Sequence, residues 1–339
     1  MTELEKVLNL TEEEKGWQES SVSLPLLITP YYLSLIDPND PDDPLRRQVV
    51  PTVSENLEVG LETPDPLAEV DHSHGERLIH RYENRVAFLA TDLCAQYCRH
   101  CFRRRFTGNM HGPATQKEVS EAASYLSEHE EIKEMLLTGG DILTLSDSEL
   151  FSMIGAFRKA NPSLVIRLCT RMPAVLPSRI TDSLISGLKQ FNTAPFYLMV
   201  QFNHVRELTK EAVGAVAKFV DAGIPAMNQS VLLRGVNDSA DALEELCNAL
   251  VAARIKPYYL FQGDLVTGTS SFRVPLEQGM AIERELRNRL SGLAMPVYAL
   301  DLPQGGGKIP LCGSYLESRE DNMWKFRTPD GQTRLYPSI

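Results

Sequence analysis

Three cysteines are the residues of this sequence whose spacing most clearly points to chemistry. Cys94, Cys98 and Cys101 follow the pattern C-x3-C-x2-C at the end of the apolar run 86–91. A strand over that run would bring the chain to a loop that presents three thiols to one centre. Cysteine thiolates hold iron–sulfur clusters, and three of them leave one iron of a cubane cluster without a protein ligand. The spacing therefore favours a cluster with an open position, as in catalytic metal sites.

The same cysteines are also compatible with a structural zinc knuckle, a disulfide or a basic nucleic-acid-binding module. His100 lies between Cys98 and Cys101, where it is badly placed to complete a zinc tetrahedron. Six cysteines among 339 residues, without a secretory signal, indicate a reducing compartment rather than disulfides. The formal net charge of −11 argues against a general nucleic-acid surface. We therefore expect the arginines within 99–105 to serve a small anion inside a site.

Two glycine-containing stretches are the next candidates for ligand contact. Gly139-Gly140-Asp141 follows a predicted strand, where glycines allow a ligand to approach the backbone closely, although a tight turn would look the same. In residues 301–308, Asp-Leu-Pro-Gln-Gly-Gly-Gly-Lys, three glycines predict a mobile loop without side chains that ends in Lys308. A buried lysine loses its proton more readily and can then attack an aldehyde. The spacing is not that of a Walker phosphate loop, and on the residues alone a flexible loop is the better interpretation.

The elements that would position these residues alternate between strand and helix from residue 86 onward. Capping boxes at 115–118 and 146–149 each precede an amphipathic helix. Strands are predicted over 86–91, 135–138, 164–168, 196–200, 227–233 and 258–261. About six such units predict a parallel sheet rolled toward a barrel, in which the chemistry lies at the carboxyl ends of the strands. Residues 1–84 lack this alternation; we predict a short helix over 4–17 and an acidic, proline-rich loop over 37–44.

The segment 91–106, Thr-Asp-Leu-Cys-Ala-Gln-Tyr-Cys-Arg-His-Cys-Phe-Arg-Arg-Arg-Phe, resembles the lysine 2,3-aminomutase family of the radical S-adenosylmethionine (SAM) superfamily. The resemblance runs from about residue 37 to the end of the glycine-rich segment. It implies an α/β fold, a partial (β/α)6 radical SAM barrel over 85–295. A helical or irregular extension would precede it over 1–84, and a C-terminal segment over 296–339 would carry a lysine that binds pyridoxal 5′-phosphate (PLP).

The resemblance also implies an activity and its cofactors. A [4Fe–4S] cluster on the three cysteines would cleave SAM, and the 5′-deoxyadenosyl radical would start the migration of the amino group of L-lysine to C3, giving β-lysine. The enzyme would be an isomerase that uses PLP and a low-potential electron donor. The predicted residues are Lys308, Arg81 and Arg85 for PLP; Gly139, Gly140, Asp141 and Gln229 for SAM; and Arg103, Asp264 and Asp301 for the substrate.

The substrate residues carry a physical argument of their own. Arg103 matches the arginine that pairs with the substrate carboxylate, and Asp264 and Asp301 match the acids that hold the ε-ammonium group. Two carboxylates that converge in a low-dielectric site are tolerated when a cation lies between them. The pair therefore favours a substrate with a distal cation, such as lysine or arginine; a glutamate-specific relative would need neutral or basic groups.

Two features depart from the family pattern. Gln201 stands where the family has histidine. The chain also lacks the cysteine-rich tail that supplies an intersubunit zinc site in the clostridial type, so we expect no zinc and a different or smaller homo-oligomer. Cys169 and Cys247 fall in strand and helix patterns and are expected to be buried apolar residues.

The biological setting is less constrained by the residues. An acidic N-terminus without a signal-peptide pattern, and no apolar run of bilayer length, predict a cytoplasmic protein with no membrane or nucleic-acid partner. An alternative within the family is an enzyme that makes β-lysine for the modification of elongation factor P. The glycine-rich loop and Asp301 follow the free-lysine type, which we favour.

Overall fold

A ten-stranded sheet, with its strands in sequential order, forms the centre of the molecule. The computed structural model describes residues 1–18, 24–57, 60–109, 111–328 and 331–337. The strands are Ser73–His74 (β1), Leu78–Tyr82 (β2), Arg85–Thr91 (β3), Glu134–Gly139 (β4), Val165–Thr170 (β5), Phe196–Val200 (β6), Ala226–Leu232 (β7), Ile255–Gln262 (β8), Val297–Leu302 (β9) and Gly307–Pro310 (β10). Strands β3 to β9 run parallel, while β1, β2 and β10 extend the two edges in antiparallel pairings. Within the described residues β1 and β10 are not paired with each other, so the barrel is open.

Helices connect the parallel strands, as parallel pairing requires. The helices are Glu12–Lys15 (α1), Pro30–Leu33 (α2), Pro44–Arg47 (α3), Gln116–Glu128 (α4), Asp147–Ala160 (α5), Met172–Val175 (α6), Asp182–Leu188 (α7), Lys210–Asp221 (α8), Ala240–Ala252 (α9) and Leu276–Arg289 (α10). Both predicted capping boxes are present, at the starts of α4 and α5. The apolar stripe of α5 is packed against the sheet, with Leu150, Ile154 and Phe157 fully buried. Each such side chain contributes about 1.5–3 kcal/mol of transfer free energy.

The predicted partial barrel is confirmed, and its sheet is longer than the sequence indicated. All six predicted strands are present as β3 to β8, but β2, β9 and β10 were not predicted. The predicted helix over 4–17 is wrong. The segment contains a 3-10 turn at Leu4–Lys6 and, separately, the four-residue helix α1, whose N-cap is Thr11. The sequence places boundaries between the extension, the barrel and the C-terminal segment at residues 84 and 295. The sheet continues across both positions, and this three-part division stays a prediction.

A separate three-stranded sheet lies near the C-terminus, formed by Leu316–Glu320 (β11), Met323–Arg327 (β12) and Thr333–Pro337 (β13). It contributes no residue to the wall of the cavity described below. Across the described part of the chain, no helix combines the length and apolar character needed to cross a bilayer.

The N-terminal extension is fastened to the cysteine loop by a buried carboxylate. Glu55 accepts hydrogen bonds from Arg99, at 2.7 and 2.6 Å, and from Arg104 at 2.8 Å. The Arg99 side chain is fully buried, and its backbone N–H donates to the carbonyl of Gln48 at 2.8 Å. Arg99 follows Cys98 directly, so these contacts fix the backbone of the loop that carries the three thiols.

Glu55→Gln is expected to lower the free energy of unfolding by about 3–5 kcal/mol, because it leaves two buried guanidinium groups without a carboxylate. Urea denaturation followed by circular dichroism measures the change. The control is Glu3→Gln, which removes one partner of the exposed pair with Lys6 and should leave the midpoint where it is. Equal midpoints for the two variants would show that Glu55 does not hold the extension in place.

Candidate active site

A cavity of about 500 Å³ lies inside the open barrel, lined by residues of β2 to β10 and the loops between them. Every residue that the sequence assigned to the site lies in its wall. They are Arg81, Arg85, Cys94, Cys98, Cys101, Arg103, Gly139, Gly140, Asp141, Gln229, Asp264, Asp301 and Lys308. These residues are spread over more than 220 positions of the chain, and the fold brings them to one space.

The turn after β4 lies directly beside the cysteine loop. Gly140 donates its N–H to the carbonyl of Thr91 at 2.6 Å, and Asp141 donates to the carbonyl of Leu93 at 2.8 Å. A Cβ atom on Gly140 would come within 2.2 Å of the Leu93 carbonyl oxygen, and Gly139 has a φ of +127° that favours glycine. The two glycines are therefore needed for this close approach of backbone to backbone, which sets the turn next to Cys94.

The carboxylate of Asp141 is occupied by protein donors. It accepts hydrogen bonds from the hydroxyl of Thr170 at 2.7 Å, from the backbone N–H of Arg171 at 2.7 Å and from that of Leu143 at 3.0 Å. Burial raises the pKa of Asp141, and the hydrogen bonds offset this only in part. Asp141 thus ties the end of β4 to the end of β5.

The three thiols all line the cavity, and three cysteines in one cavity are a donor set that suits an iron–sulfur cluster. Burial, followed by the charge of Asp141, raises the pKa of Cys94 well above that of a free thiol, and burial and Cys98 raise that of Cys101. A cationic centre is needed to convert such thiols to thiolates. No three metal-binding side chains of the described residues converge as the ligands of a single ion; a cubane cluster instead binds each thiolate to a different iron. Arg171, a residue that sequence reasoning missed, places its Nη1 atom 2.6 Å from the sulfur of Cys98.

Lys308 enters the cavity from a β-hairpin. Strands β9 and β10 pair so that Lys308 lies opposite Asp301, and the two side chains form an ion pair. The predicted flexible loop is the turn of this hairpin, with Gly305 and Gly307 at φ values of +73° and +92°. Burial lowers the pKa of Lys308, and Asp301 opposes the shift. The Nζ atom also lies 3.9 Å from the centre of the Phe261 ring.

Asp264 lies close to the same ion pair. Burial, followed by the charge of Asp301, raises its pKa to about 7, against the opposing effect of Lys308. Asp264 comes from the loop after β8, and Asp301 is part of β9. The two acids therefore converge as predicted, with an ammonium group already interacting with both.

The arginines predicted for the PLP phosphate lie on the hairpin of β2 and β3, not on a helix or a linker. The Nε and Nη2 atoms of Arg81 are buried and have no hydrogen-bond partner in the described structure. Arg85 stacks on the ring of Tyr82 at 3.7 Å, and the Tyr82 hydroxyl accepts a hydrogen bond from the backbone of Lys308 at 3.2 Å. Unpartnered guanidinium nitrogens near the lysine fit an anionic group such as a phosphate.

Arg103 is already paired in this structure. Its Nη2 atom lies 2.7 Å from a carboxylate oxygen of Glu69, and its Nη1 atom lies 3.2 Å from the hydroxyl of Thr138. Glu69 lies in the irregular extension, where no periodicity or motif marked it. Arg171, by contrast, follows a predicted strand, and charged residues at strand ends of a barrel are expected near the site.

Three consecutive polar residues of β7 have different surroundings. Gln229 faces the cavity, whereas its neighbours Asn228 and Ser230 are buried and hydrogen-bonded to the backbone of Phe202. Gln201, which replaces the expected histidine, lies 3.4 Å from the His100 ring.

Two further cavity residues are of interest. Gln96, in the cysteine loop, has a buried side-chain amide without a partner in the described structure, which leaves hydrogen-bonding groups for a ligand. Cys169, expected to be an apolar core residue, also lines the cavity, and burial raises its pKa to about 12. Cys247 is buried in α9 as predicted, and burial likewise raises its pKa to about 12.

Comparison with known proteins agrees with this geometry. The family model of the radical SAM superfamily matches residues 88–247, which include the cysteine loop, and the model named lysine-2,3-aminomutase matches residues 282–338, which include the lysine hairpin. Membership of these families implies a [4Fe–4S] cluster, SAM and PLP as cofactors.

Three relatives show how far the similarity extends. L-lysine 2,3-aminomutase of Clostridium subterminale is 42% identical over 335 residues, which are 98% of this chain and 80% of the relative. The L-lysine 2,3-aminomutase of Bacillus subtilis is 41% identical over 99% of this chain and 71% of its own length. Glutamate 2,3-aminomutase of Clostridioides difficile is 38% identical over 97% of this chain and 78% of its own length. With 42% identity over nearly its whole length, the chain belongs to the lysine 2,3-aminomutase family of the radical SAM superfamily.

Proposed function

We propose that this protein is a radical SAM, PLP-dependent isomerase that converts L-lysine to β-lysine. The observation that carries the proposal is that Lys308 lines the same cavity as Cys94, Cys98 and Cys101. The cluster and SAM would supply a reactive radical, so the substrate held by Lys308-bound PLP would have to lie in the same cavity. A lysine on the outside of the barrel could not serve this chemistry.

The cofactors supply the difficult steps: a reduced cluster and SAM generate the radical, and PLP stabilises the radical substrate. The electron comes from a low-potential donor. The chain itself binds, orients and excludes water. Lys308 would hold PLP through an amine whose pKa burial has lowered, and Arg81 and Arg85 would bind its phosphate. The backbone at Gly139 and Gly140 and the side chain of Gln229 contact SAM.

Charge determines the substrate class. Arg103 would bind the α-carboxylate, and Asp264 and Asp301 would bind the distal ammonium group. Identity alone does not separate lysine from glutamate, because a glutamate 2,3-aminomutase is 38% identical. The two converging carboxylates do separate them, since they would repel a second carboxylate on the substrate. Arginine carries its cation further from the reacting carbons and would need a longer cavity.

Anaerobic incubation of the reconstituted enzyme with SAM, PLP and dithionite is expected to convert L-lysine to β-lysine. L-arginine and L-glutamate, offered in parallel, are expected to react at least about 100-fold more slowly. A misplaced or opposite charge on the distal group lowers the favourable binding free energy by about 3 kcal/mol. Chromatography of the derivatised amino acids measures the products. Turnover of glutamate in preference to lysine would overturn the assignment of the two acids.

Asp264→Asn is expected to reduce kcat/KM for lysine by about 30-fold or more, because the amide cannot pair with an ammonium group in a buried site. SAM binding, measured by equilibrium dialysis, should not change. Asp71→Asn, which removes a charge from an exposed position of the extension, is the matched control and should retain full activity. Unaltered lysine turnover in Asp264→Asn would mean that the ammonium group binds elsewhere.

Activity is also expected to depend on pH through Asp264. Its pKa is raised to about 7, so the carboxyl becomes neutral as the pH falls below that value and no longer attracts the ammonium group. We expect kcat/KM for lysine to decline below about pH 7, approaching tenfold per unit, since this parameter reports the free enzyme. SAM affinity over the same range serves as the control. An acidic limb that begins only near pH 4 would show that Asp264 is not required in its ionised form.

A further inference from the structure

We propose that Glu69 is a positioning residue that orients Arg103 for the substrate's α-carboxylate. This inference rests on the proposed function, in which Arg103 binds that carboxylate. Glu69 belongs to the N-terminal extension, yet only 7% of its surface is exposed and it lines the cavity.

The contacts of Arg103 leave a defined part of its guanidinium group for a ligand. Glu69 binds it from the side, with Nε at 3.2 Å from Oε2 and Nη2 at 2.7 Å from Oε1, and Thr138 accepts from Nη1 at 3.2 Å. A guanidinium group has five N–H donors. These contacts use three of them, one each on Nε, Nη1 and Nη2. Among contacts with the described part of the chain, two donors remain unused, one on Nη1 and one on Nη2, which is the number that a bidentate carboxylate requires.

Glu69 is held firmly enough to set this orientation. Arg105 donates to its second carboxylate oxygen at 3.1 Å. Asp65 accepts from the backbone N–H groups of Glu69 and Val70, at 3.1 and 2.9 Å, which fixes the turn. Burial raises the pKa of Glu69, but Arg103 and Arg105 together bring it below its usual value, so the group stays ionised.

The same segment is joined to the lysine hairpin. The backbone N–H of Gln304 donates to the carbonyl of Pro66 at 2.9 Å. Thr63 forms a bridge with Val266, two residues after Asp264. The segment that carries Glu69 is thus tied to both elements that hold the opposite end of the substrate.

These contacts decide between two roles for Glu69. A carboxylate that merely occupied the substrate's place would have to move away from Arg103 when lysine binds. This movement would break the buried ion pairs of Glu69 with Arg103 and Arg105, at a high cost in free energy. A carboxylate that binds from the side can stay while the substrate takes the remaining donors. The second role requires no movement of the segment. It also makes Glu69 necessary, because Thr138 alone supplies one neutral acceptor and cannot fix a buried cation.

The test compares Glu69→Gln with Asp71→Asn, which removes a charge two residues away from an exposed position. KM and kcat are measured for L-lysine, and the inhibition constant is measured for 1,5-diaminopentane, which is lysine without its carboxylate.

In Glu69→Gln we expect KM for lysine to rise at least about tenfold, because a charge-assisted contact to the carboxylate is weakened. The value of kcat should change less than about threefold, since the carboxylate is bound alike in the ground and transition states. Inhibition by 1,5-diaminopentane should not change, and the control variant should match the wild type in every value.

Three results would overturn the inference. An unchanged or lower KM for lysine would show that Glu69 is dispensable or competes with the substrate. An equal loss for lysine and for 1,5-diaminopentane would show general damage to the cavity. No lysine turnover by the wild-type enzyme would instead overturn the proposed function, and this inference with it.

Discussion

A cation buried beside a reactive centre needs a carboxylate close by, because an isolated charge in a low-dielectric interior costs several kcal/mol. The wall of the cavity meets this constraint repeatedly. Arg103 pairs with Glu69, Arg171 with Glu207 and Lys308 with Asp301. Behind the wall, Arg99 pairs with Glu55. In two of these pairs the carboxylate comes from the N-terminal extension and the arginine from the cysteine loop. The extension is therefore electrostatically part of the barrel, which explains why it packs so closely on it.

Arg81 differs from these residues, and the difference is informative. Two of its nitrogen atoms are buried yet lack a hydrogen-bond partner in the described structure, and its nearest carboxylate, that of Asp301, is 4.0 Å away. The paired cations have their orientations fixed before any ligand binds. Arg81 instead retains unused hydrogen-bonding capacity, and an anionic cofactor would complete it. The same wall thus contains both preorganised groups and groups that await a ligand.

The sequence predicts the barrel better than it predicts the edges of the sheet. Strands β3 to β8 are apolar runs whose side chains are buried on the pleated surface, so periodicity reveals them. Strand β2 carries Arg81, and β10 begins at the last of three consecutive glycines. Each forms because a neighbouring edge offers hydrogen bonds, which local propensity does not show. The cysteines were identifiable from their type and spacing, whereas Lys308 was identified through the family resemblance, because its glycine-rich segment alone favoured a flexible loop. Glu69 was not, because it pairs with a residue 34 positions away, and an irregular segment carries no signal of such a contact.

The pairing of Lys308 with Asp301 across the hairpin also constrains how the substrate preference of such an enzyme can diverge. Under the proposed function, Asp264 would contact the substrate from a loop, and a replacement there would alter the recognition of the distal group. Both acids oppose the fall in the pKa of Lys308, but Asp301 does so more strongly, because it also forms a hydrogen bond with the amine. Loss of Asp301 would therefore disturb the amine proposed to hold PLP more than loss of Asp264. A change at position 264 thus offers a route to a new substrate preference that perturbs this lysine less than a change at position 301.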